Sequence, residues 1–203
     1  MNNDFELDLN DFNEEAGFSN VRTTGIHDVT VKHISVIVKD NGVTEWSLTV
    51  NSGGEYDDTF YGVGVKFKTG KFSPKVNTVI KPILKLAGIT NPTVESKLVD
   101  TKDGKKSITV YSGIDNLPVK LAVRMEWNTY KNKYVAQPFR VFNIDGRTAT
   151  EVSKGETEAK QIKKIDLSDV TSDYQGKAPV KGETKSDTTT DFEVNADDSF
   201  DVF

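Results

Sequence analysis

Thr44–Asn51 reads TEWSLTVN, and its alternation decides the class of the fold. Trp46, Leu48 and Val50 fall on one side, and Glu45, Ser47 and Thr49 on the other. That is the period of two expected of a strand with a buried and a wet face. Asp40-Asn41-Gly42 before it and Ser52-Gly53-Gly54 after it are turn signals, so both neighbouring segments are expected to fold back on it. Upstream, residues 26–38 (IHDVTVKHISVIV) are rich in β-branched side chains and read as a long strand. Its apolar register shifts around Lys32–Ile34, which suggests a bulge. Downstream, residues 59–68 (TFYGVGVKFK) read as a third strand. Strict alternation there puts Tyr61, Val63, Val65 and Phe67 on one face, and Phe60, Gly62, Gly64, Lys66 and Lys68 on the opposite, outward one.

The period then changes. In residues 76–89 (VNTVIKPILKLAGI), Val76, Val79, Ile80, Ile83, Leu84 and Ala87 recur at helical spacing. Pro82 is expected to kink this helix or split it into two turns, and Gly88 is placed to cap its end. Strand patterns return at 94–100 and 107–111, around Lys102-Asp103-Gly104-Lys105, whose Asp-Gly marks a hairpin. Residues 118–129 (PVKLAVRMEWNT) alternate again, turn at Tyr130-Lys131-Asn132-Lys133 and run back through 134–144, where Pro138 requires an edge or a bulge. A short helix is expected over 155–165, and no packed structure from Asp166 onward. Three strands, a helix and about four strands define an all-β chain with one or two short helices. The order fits an oligonucleotide-binding (OB) barrel of five strands with a helix after the third, and a β-sandwich is the competing architecture.

Charge divides the chain into three. Residues 1–20 carry six acids and no base; residues 21–165 carry 23 Lys/Arg against 15 Asp/Glu, net +8; residues 166–203 carry ten acids and three lysines, net −7. The sequence reads as an acidic arm (1–20), a basic body (21–165) and a disordered acidic tail (166–203) too poor in apolar groups to order itself. A basic body between acidic ends suits a polyanion-binding protein whose tail competes for the same surface, or else an ordinary mixed surface with solubilising termini. Hydrophobic residues make up 35 %, a low share expected if part of the chain does not pack. There is no cysteine, which excludes disulfides, thiol catalysis and thiolate zinc sites. The N-terminus lacks the basic start and apolar run of a secretory signal, and no apolar run approaches a membrane span, so a cytoplasmic protein is expected.

Catalytic chemistry finds no foothold. His27 and His33 lie six residues apart on one strand, too far to share a metal, and no metal or other cofactor is expected. Asp57-Asp58 and Asp197-Asp198 are adjacent acids of the kind that stay solvated rather than forming a desolvated acid–base pair. Gly62-Val63-Gly64 and Thr69-Gly70-Lys71 lack the Walker spacing and the Ser or Thr that must follow its lysine; Phe72 stands there instead. A non-enzymatic protein is expected.

The informative stretch of the body is Phe60–Lys75 (FYGVGVKFKTGKFSPK). Lys66, Lys68, Lys71 and Lys75 interleave with aromatic rings, Phe60 and Phe72 among them, and outward glycines would let the strand approach a ligand closely. Cations that track a phosphate backbone, with rings as stacking platforms, are what sequence-tolerant single-strand binding requires. A core strand with a lysine-rich wet face is the bland alternative. A second patch gathers Arg124, Tyr130, Lys131, Lys133, Tyr134 and Arg140 around the 118–144 hairpin. Trp46 and Trp127 fall on apolar faces and read as core.

The tail Ser186–Phe203 (SDTTTDFEVNADDSFDVF) holds six carboxylates, no Lys or Arg, and ends in Phe203. Together with the β-rich basic body and its single mid-chain helix, it resembles the single-stranded DNA-binding proteins of tailed bacteriophages, the T7 type being nearest in plan; bacterial single-stranded DNA-binding proteins share the tail logic. The resemblance rests on Asp197, Asp198, Asp201 and Phe203, with Val202 intervening before the final ring; the body matches in pattern only. It implies a protein of phage DNA replication, recombination and repair, acting in the host cytoplasm, that coats single-stranded DNA without sequence preference. It further implies that Asp197, Asp198, Phe200, Asp201 and Phe203 recruit a polymerase, helicase-primase or nuclease, and that the tail occupies the groove when DNA is absent. Self-association stays open, no membrane partner is expected, and a β-sandwich structural or adaptor protein of a virion is the other reading.

Overall fold

The computed structural model describes residues 21–101, 104–128, 132–168, 172–173 and 176–177. The acidic arm, the tail beyond Lys177, and Tyr130 and Lys131 lie outside the described residues. Seven strands form one antiparallel sheet: β1 (Gly25–Val38), β2 (Thr44–Asn51), β3 (Asp58–Lys66), β4 (Val94–Thr101), β5 (Gly104–Tyr111), β6 (Leu117–Asn128) and β7 (Lys133–Asn143). The chain is all-β, as its alternation requires. Its sheet has seven strands rather than five, and among the described residues no ladder joins β3 to β7, so it is open.

The long β1 organises this sheet. One of its edges pairs with β2 from Thr30 to Val38. The other edge is shared: β6 takes its first half, Gly25–Val31, and β5 meets it further on, at Ser35. The meander β1–β2–β3 is thereby extended on one side by two hairpins, β4–β5 and β6–β7. A register shift between Val31 and His33 leaves Lys32 as the bulged residue, where the apolar pattern of β1 changes phase. A second shift, between Ala122 and Val123, falls where Ala122 pairs with Arg140 and Val123 with Pro138, so Phe139 is the extra residue. Proline cannot donate to a ladder, and here it sits in an edge strand next to a bulge.

The mid-chain helix is split, as Pro82 demands. Val76–Ile80 forms a π turn, and α1 (Lys81–Leu86) follows with Pro82 in its first turn, where a missing N–H costs nothing. Its C-terminus is closed by a Schellman motif: Gly88 has φ +74°, its N–H reaches the Lys85 carbonyl, and Ile89 N–H reaches that of Leu84. Val76, Val79, Ile80 and Ile83 are buried against Leu48, Phe60 and Val63 of the sheet, with Leu121, Val123 and Val141 completing the core. Trp46 joins this core and donates from Nε1 to the Tyr111 hydroxyl at 2.9 Å. Trp127 is only half-buried.

Strict alternation fails in β3. Leu48 pairs with Phe60 and Trp46 with Gly64, so one intervening residue of β2 is matched by three of β3. Gly62, at φ +62°, supplies the left-handed conformation that this bulge needs. Phe60 and Gly64, opposite Leu48 and Trp46, turn inward and Tyr61 is exposed, the reverse of the expected faces, while Val63 is buried as alternation expects. Gly64 approaches no ligand: a Cβ there would lie 2.9 Å from Val76 Cγ2, so the glycine admits the π turn to the sheet.

The helix expected over 155–165 is displaced. α2 occupies Ala149–Ser153, opened by a capping box in which Thr148 and Glu151 exchange side-chain-to-backbone hydrogen bonds, and only a 3₁₀ turn at Ile162–Lys164 follows. Past Asp166, where no packed structure was expected, β8 (Ser172–Asp173) and β9 (Gly176–Lys177) pair as a minimal hairpin. No helix among the described residues is long and apolar enough to cross a membrane.

Candidate nucleic-acid interface

The sheet, the π turn and the segment after α2 enclose a cleft of about 730 Å³. One wall is β3 and the chain following it, through Gly62, Val65, Ser73, Pro74 and Lys75. The other is the β6–β7 hairpin, through Arg124, Glu126, Phe139 and Arg140, and Gln161, Lys164, Ile165 and Asp166 form the rim. Four cations and two carboxylates therefore meet in one space.

Local folding explains the meeting. Arg124 and Glu126 alternate onto the same face of β6, and the Phe139 bulge brings that ring under the Arg124 guanidinium, with Cζ 4.5 Å from its centroid. Glu126 holds two cations at once: Lys75 Nζ at 2.6 Å and Arg124 Nε at 3.2 Å. Lys75 also reaches Gln137 Oε1 at 3.2 Å. Arg140 and Lys164 make no ion pair among the described residues. Asp166 accepts from both the backbone N–H and the hydroxyl of Ser168, at 2.8 and 2.6 Å. Those two hydrogen bonds, assisted by the charge of Arg124, hold its carboxyl below the usual range against a small opposing effect of burial.

The lysine-rich stretch continues from the cleft wall as a tight hairpin. Lys66 bridges to Phe72, Phe67 N–H donates to the Lys71 carbonyl, and Gly70 turns the chain at φ +79°. Thr69-Gly70-Lys71 is thus a hairpin tip, which presents Lys68 and Lys71 to solvent. Phe72 is 43 % exposed. It packs on Trp46 with centroids 6.2 Å apart, and the ammonium groups of Lys66 and Lys81 lie 5.9 and 5.2 Å from its centroid.

Among the residues singled out from sequence, the fold brings Lys75, Arg124 and Arg140 into the cleft, with Lys66, Lys68, Lys71 and Phe72 on the adjoining hairpin. Phe60 is 1 % exposed and stacks under Arg22 at 5.0 Å, so no base can reach it; it pairs with Leu48 and faces the core with it. Lys133 and Tyr134 are at the far end of the β6–β7 hairpin, where Tyr134 packs edge-on against Trp127 at 5.2 Å, and neither lines the cleft. Tyr130 and Lys131 belong to the turn outside the described residues, as do Asp197, Asp198, Phe200, Asp201 and Phe203. Lys81 and Lys164 were not singled out. Lys81 carried a signal, lying six residues beyond Lys75 and directly before Pro82 in the first turn of α1; Lys164 lies in a segment whose path the sequence does not indicate.

The two histidines are apart. His27 Nε2 donates to the Thr23 carbonyl at 2.9 Å. His33 is nearly buried, and desolvation, then the charge of Lys97, lowers its pKa despite the opposing pull of Asp57. No protein-family model, curated protein or solved structure matches this chain.

Proposed function

We propose that this protein binds single-stranded DNA without sequence preference, as a non-enzymatic factor of phage DNA replication, recombination and repair in the host cytoplasm. The observation that carries the reading is the continuity of the Lys66–Phe72 hairpin with the Lys75–Arg124–Arg140 cleft: an exposed ring flanked by ammonium groups leads into a channel of further cations. A base stacking on Phe72 finds Lys66 and Lys81 beside it, and the strand continues toward Arg140 and Lys164. Stacking gives affinity to any base, because every base has a π face, while the cations take the phosphates. Glu126 keeps Lys75 and Arg124 paired until phosphate competes for them.

The acidic C-terminal segment fits the same reading. Residues 161–166 form the cleft rim, so the stretch from Asp166, net −7, departs from the mouth of a body of net +8. Its charge suits competition with DNA for the cleft, and in this reading Asp197, Asp198, Asp201, Phe200 and Phe203 are the groups offered to a polymerase, helicase-primase or nuclease.

Titration of a labelled oligo-dT at two salt concentrations tests the function. Binding that weakens steeply with salt is expected, and replacing Lys66, Lys68 and Lys71 together by Ala should lower the log–log salt slope by about 2, at roughly 0.7 per single-strand phosphate contact. No binding at low salt overturns the proposal. Deleting 186–203 should leave or raise DNA affinity and abolish partner recruitment; a large loss of affinity removes the competition between tail and DNA.

A further inference from the structure

β4 is the outer strand of the β4–β5 hairpin, and among the described residues its far edge pairs with nothing. Ser112 N–H donates to the Thr93 carbonyl at 2.9 Å, which fixes the phase of the ladder. Thr93, Glu95, Lys97 and Val99 turn their backbone groups toward β5, so Val94, Ser96 and Leu98 turn theirs outward. Val94 and Leu98 are also 54 % and 69 % exposed, on one face of this strand. Proteins ordinarily blunt such an edge with charge, proline, a bulge or a covering segment; among the described residues Val94–Asp100 has no proline or bulge, and its central charges, Glu95 and Lys97, are of opposite sign.

We propose that this edge binds a second copy of the same chain, β4 against β4, antiparallel about a two-fold axis at Ser96. The pattern V94-E95-S96-K97-L98 is self-complementary about that centre. Glu95 of each copy faces Lys97 of the other, Val94 faces Leu98, and Ser96 faces itself. Because Val94, Ser96 and Leu98 carry the outward N–H and C=O groups, the Val94–Leu98 and Ser96–Ser96 pairs fall at hydrogen-bonding positions and Glu95–Lys97 at the closer, non-hydrogen-bonded ones. Neighbouring registers fail. A centre on Glu95 or Lys97 opposes like charges, and a centre on Leu98 leaves Lys97 facing Val99. Lys97 is free to turn outward, since its contact with Asp115 is long, 3.7 Å, and exposed. The result is one continuous sheet through two bodies, an isologous contact that closes on itself. It is independent of the DNA-binding reading, for β4 lines no part of the cleft.

The experiment is sedimentation equilibrium of the full chain and its charge variants. Wild type is expected to dimerise reversibly. Glu95→Lys alone and Lys97→Glu alone should each weaken the dimer by about tenfold or more, since both cross-strand pairs become repulsive. An equimolar mixture of the two single variants should form a heterodimer, because each Lys then faces a Glu again. Ser96→Pro, which removes an outward N–H, should abolish dimerisation; circular dichroism and the charge variants, which alter no buried group, decide the question if that protein misfolds. A monomeric wild type, or single variants that associate as well as the parent, overturns the proposal.

Discussion

Lys75 Nζ lies 2.6 Å from Glu126 Oε2, and Arg124 Nε lies 3.2 Å from the other oxygen of the same carboxylate. One acid therefore neutralises two of the four cations in the cleft. Both partners are half-buried, so the pairs are less screened than surface bridges, although the carboxylate also opposes any phosphate that enters. Glu126→Gln keeps the shape and a hydrogen-bond acceptor while removing the charge. Oligo-dT affinity is expected to rise severalfold, and the salt slope to steepen by about 0.7 for each cation released to a phosphate. Fluorescence titration across a salt series reads both, and weaker binding by a folded variant would place the strand elsewhere.

Phe72 and Phe60 offer a contrast within one stretch. Phe72 is half-exposed between two ammonium groups, whereas Phe60 is sealed beneath Arg22. Phe72→Ala should weaken oligo-dT binding by about tenfold or more, the loss expected from one stacked base at about 1–3 kcal/mol, with little change in thermal midpoint. Phe60→Ala should instead destabilise the fold by about 3–5 kcal/mol as a buried ring is lost. Paired melting and binding curves for the two variants check the assignment.

Gly64 is where the sheet touches the π turn. An added Cβ would meet Val76 Cγ2 at 2.9 Å, with Ile80 Cγ1 and Trp46 Cε3 each at 3.3 Å. All three neighbours are core side chains, so relief requires moving the turn or the indole. Gly64→Ala is expected to cost about 1–3 kcal/mol of stability, measured by urea unfolding. Because Val65, Ser73 and Lys75 on the cleft wall flank that contact, a fall in oligo-dT affinity should accompany it.

Much of this architecture is legible in the sequence because it follows from local rules. The strands around Trp46-Leu48-Val50, the break at Pro82, the cap at Gly88 and the irregularity at Pro138 all lie where periodicity and backbone chemistry put them. The faces of β3 are not legible, since they follow its pairing with β2, which sets Phe60 opposite Leu48, and the bulge at Gly62 lets both Val63 and Gly64 turn inward, which no alternation pattern announces. Thr148-Ala149-Thr150-Glu151 is a capping-box signature that could have placed α2, but the helix is too short to show a period. The basic residues of 60–75 stand out by composition; that Glu126 disarms Lys75 depends on a contact 51 residues away in sequence, beyond the reach of local pattern. The sharing of one edge of β1 between β5 and β6 is equally non-local.

His33 makes the fold sensitive to mild acid. Burial lowers its pKa from 6.5, so below that value the unfolded chain takes up a proton that the folded chain resists. Its contribution to stability is intact above about pH 6.5 and declines as pH falls toward the folded value. His33→Gln, which cannot titrate, should flatten the stability profile between about pH 7 and 5. Urea midpoints across that range test it, and an unchanged slope would assign the sensitivity to other groups.

Glu151 acts at lower pH and with the opposite shift. Burial alone would raise its carboxyl, but it accepts hydrogen bonds from the Thr148 backbone at 2.7 Å, the Thr148 hydroxyl at 2.9 Å, and the Lys160 and Gln161 backbone N–H groups at 3.0 Å each. These donors outweigh desolvation and bring the pKa below 4.5. A carboxylate depressed in the folded state stabilises fully above its unfolded pKa, and that stabilisation is lost as pH falls through the folded value. Glu151 also ties the start of α2 to residues 160–161, and so fixes the rim from which Lys164 and Asp166 enter the cleft. Glu151→Ala should cost about 2–4 kcal/mol, as a cap and several donors to a buried anion are lost together, and should remove the part of acid unfolding that falls below about pH 4.5. Glu151→Gln keeps the shape but supplies a neutral acceptor and a surplus N–H₂ donor facing groups that donate to the carboxylate, so it should recover less than half of that loss. Loosening the rim should also weaken oligo-dT binding in both variants, which separates this bridge from a helix cap with no further consequence.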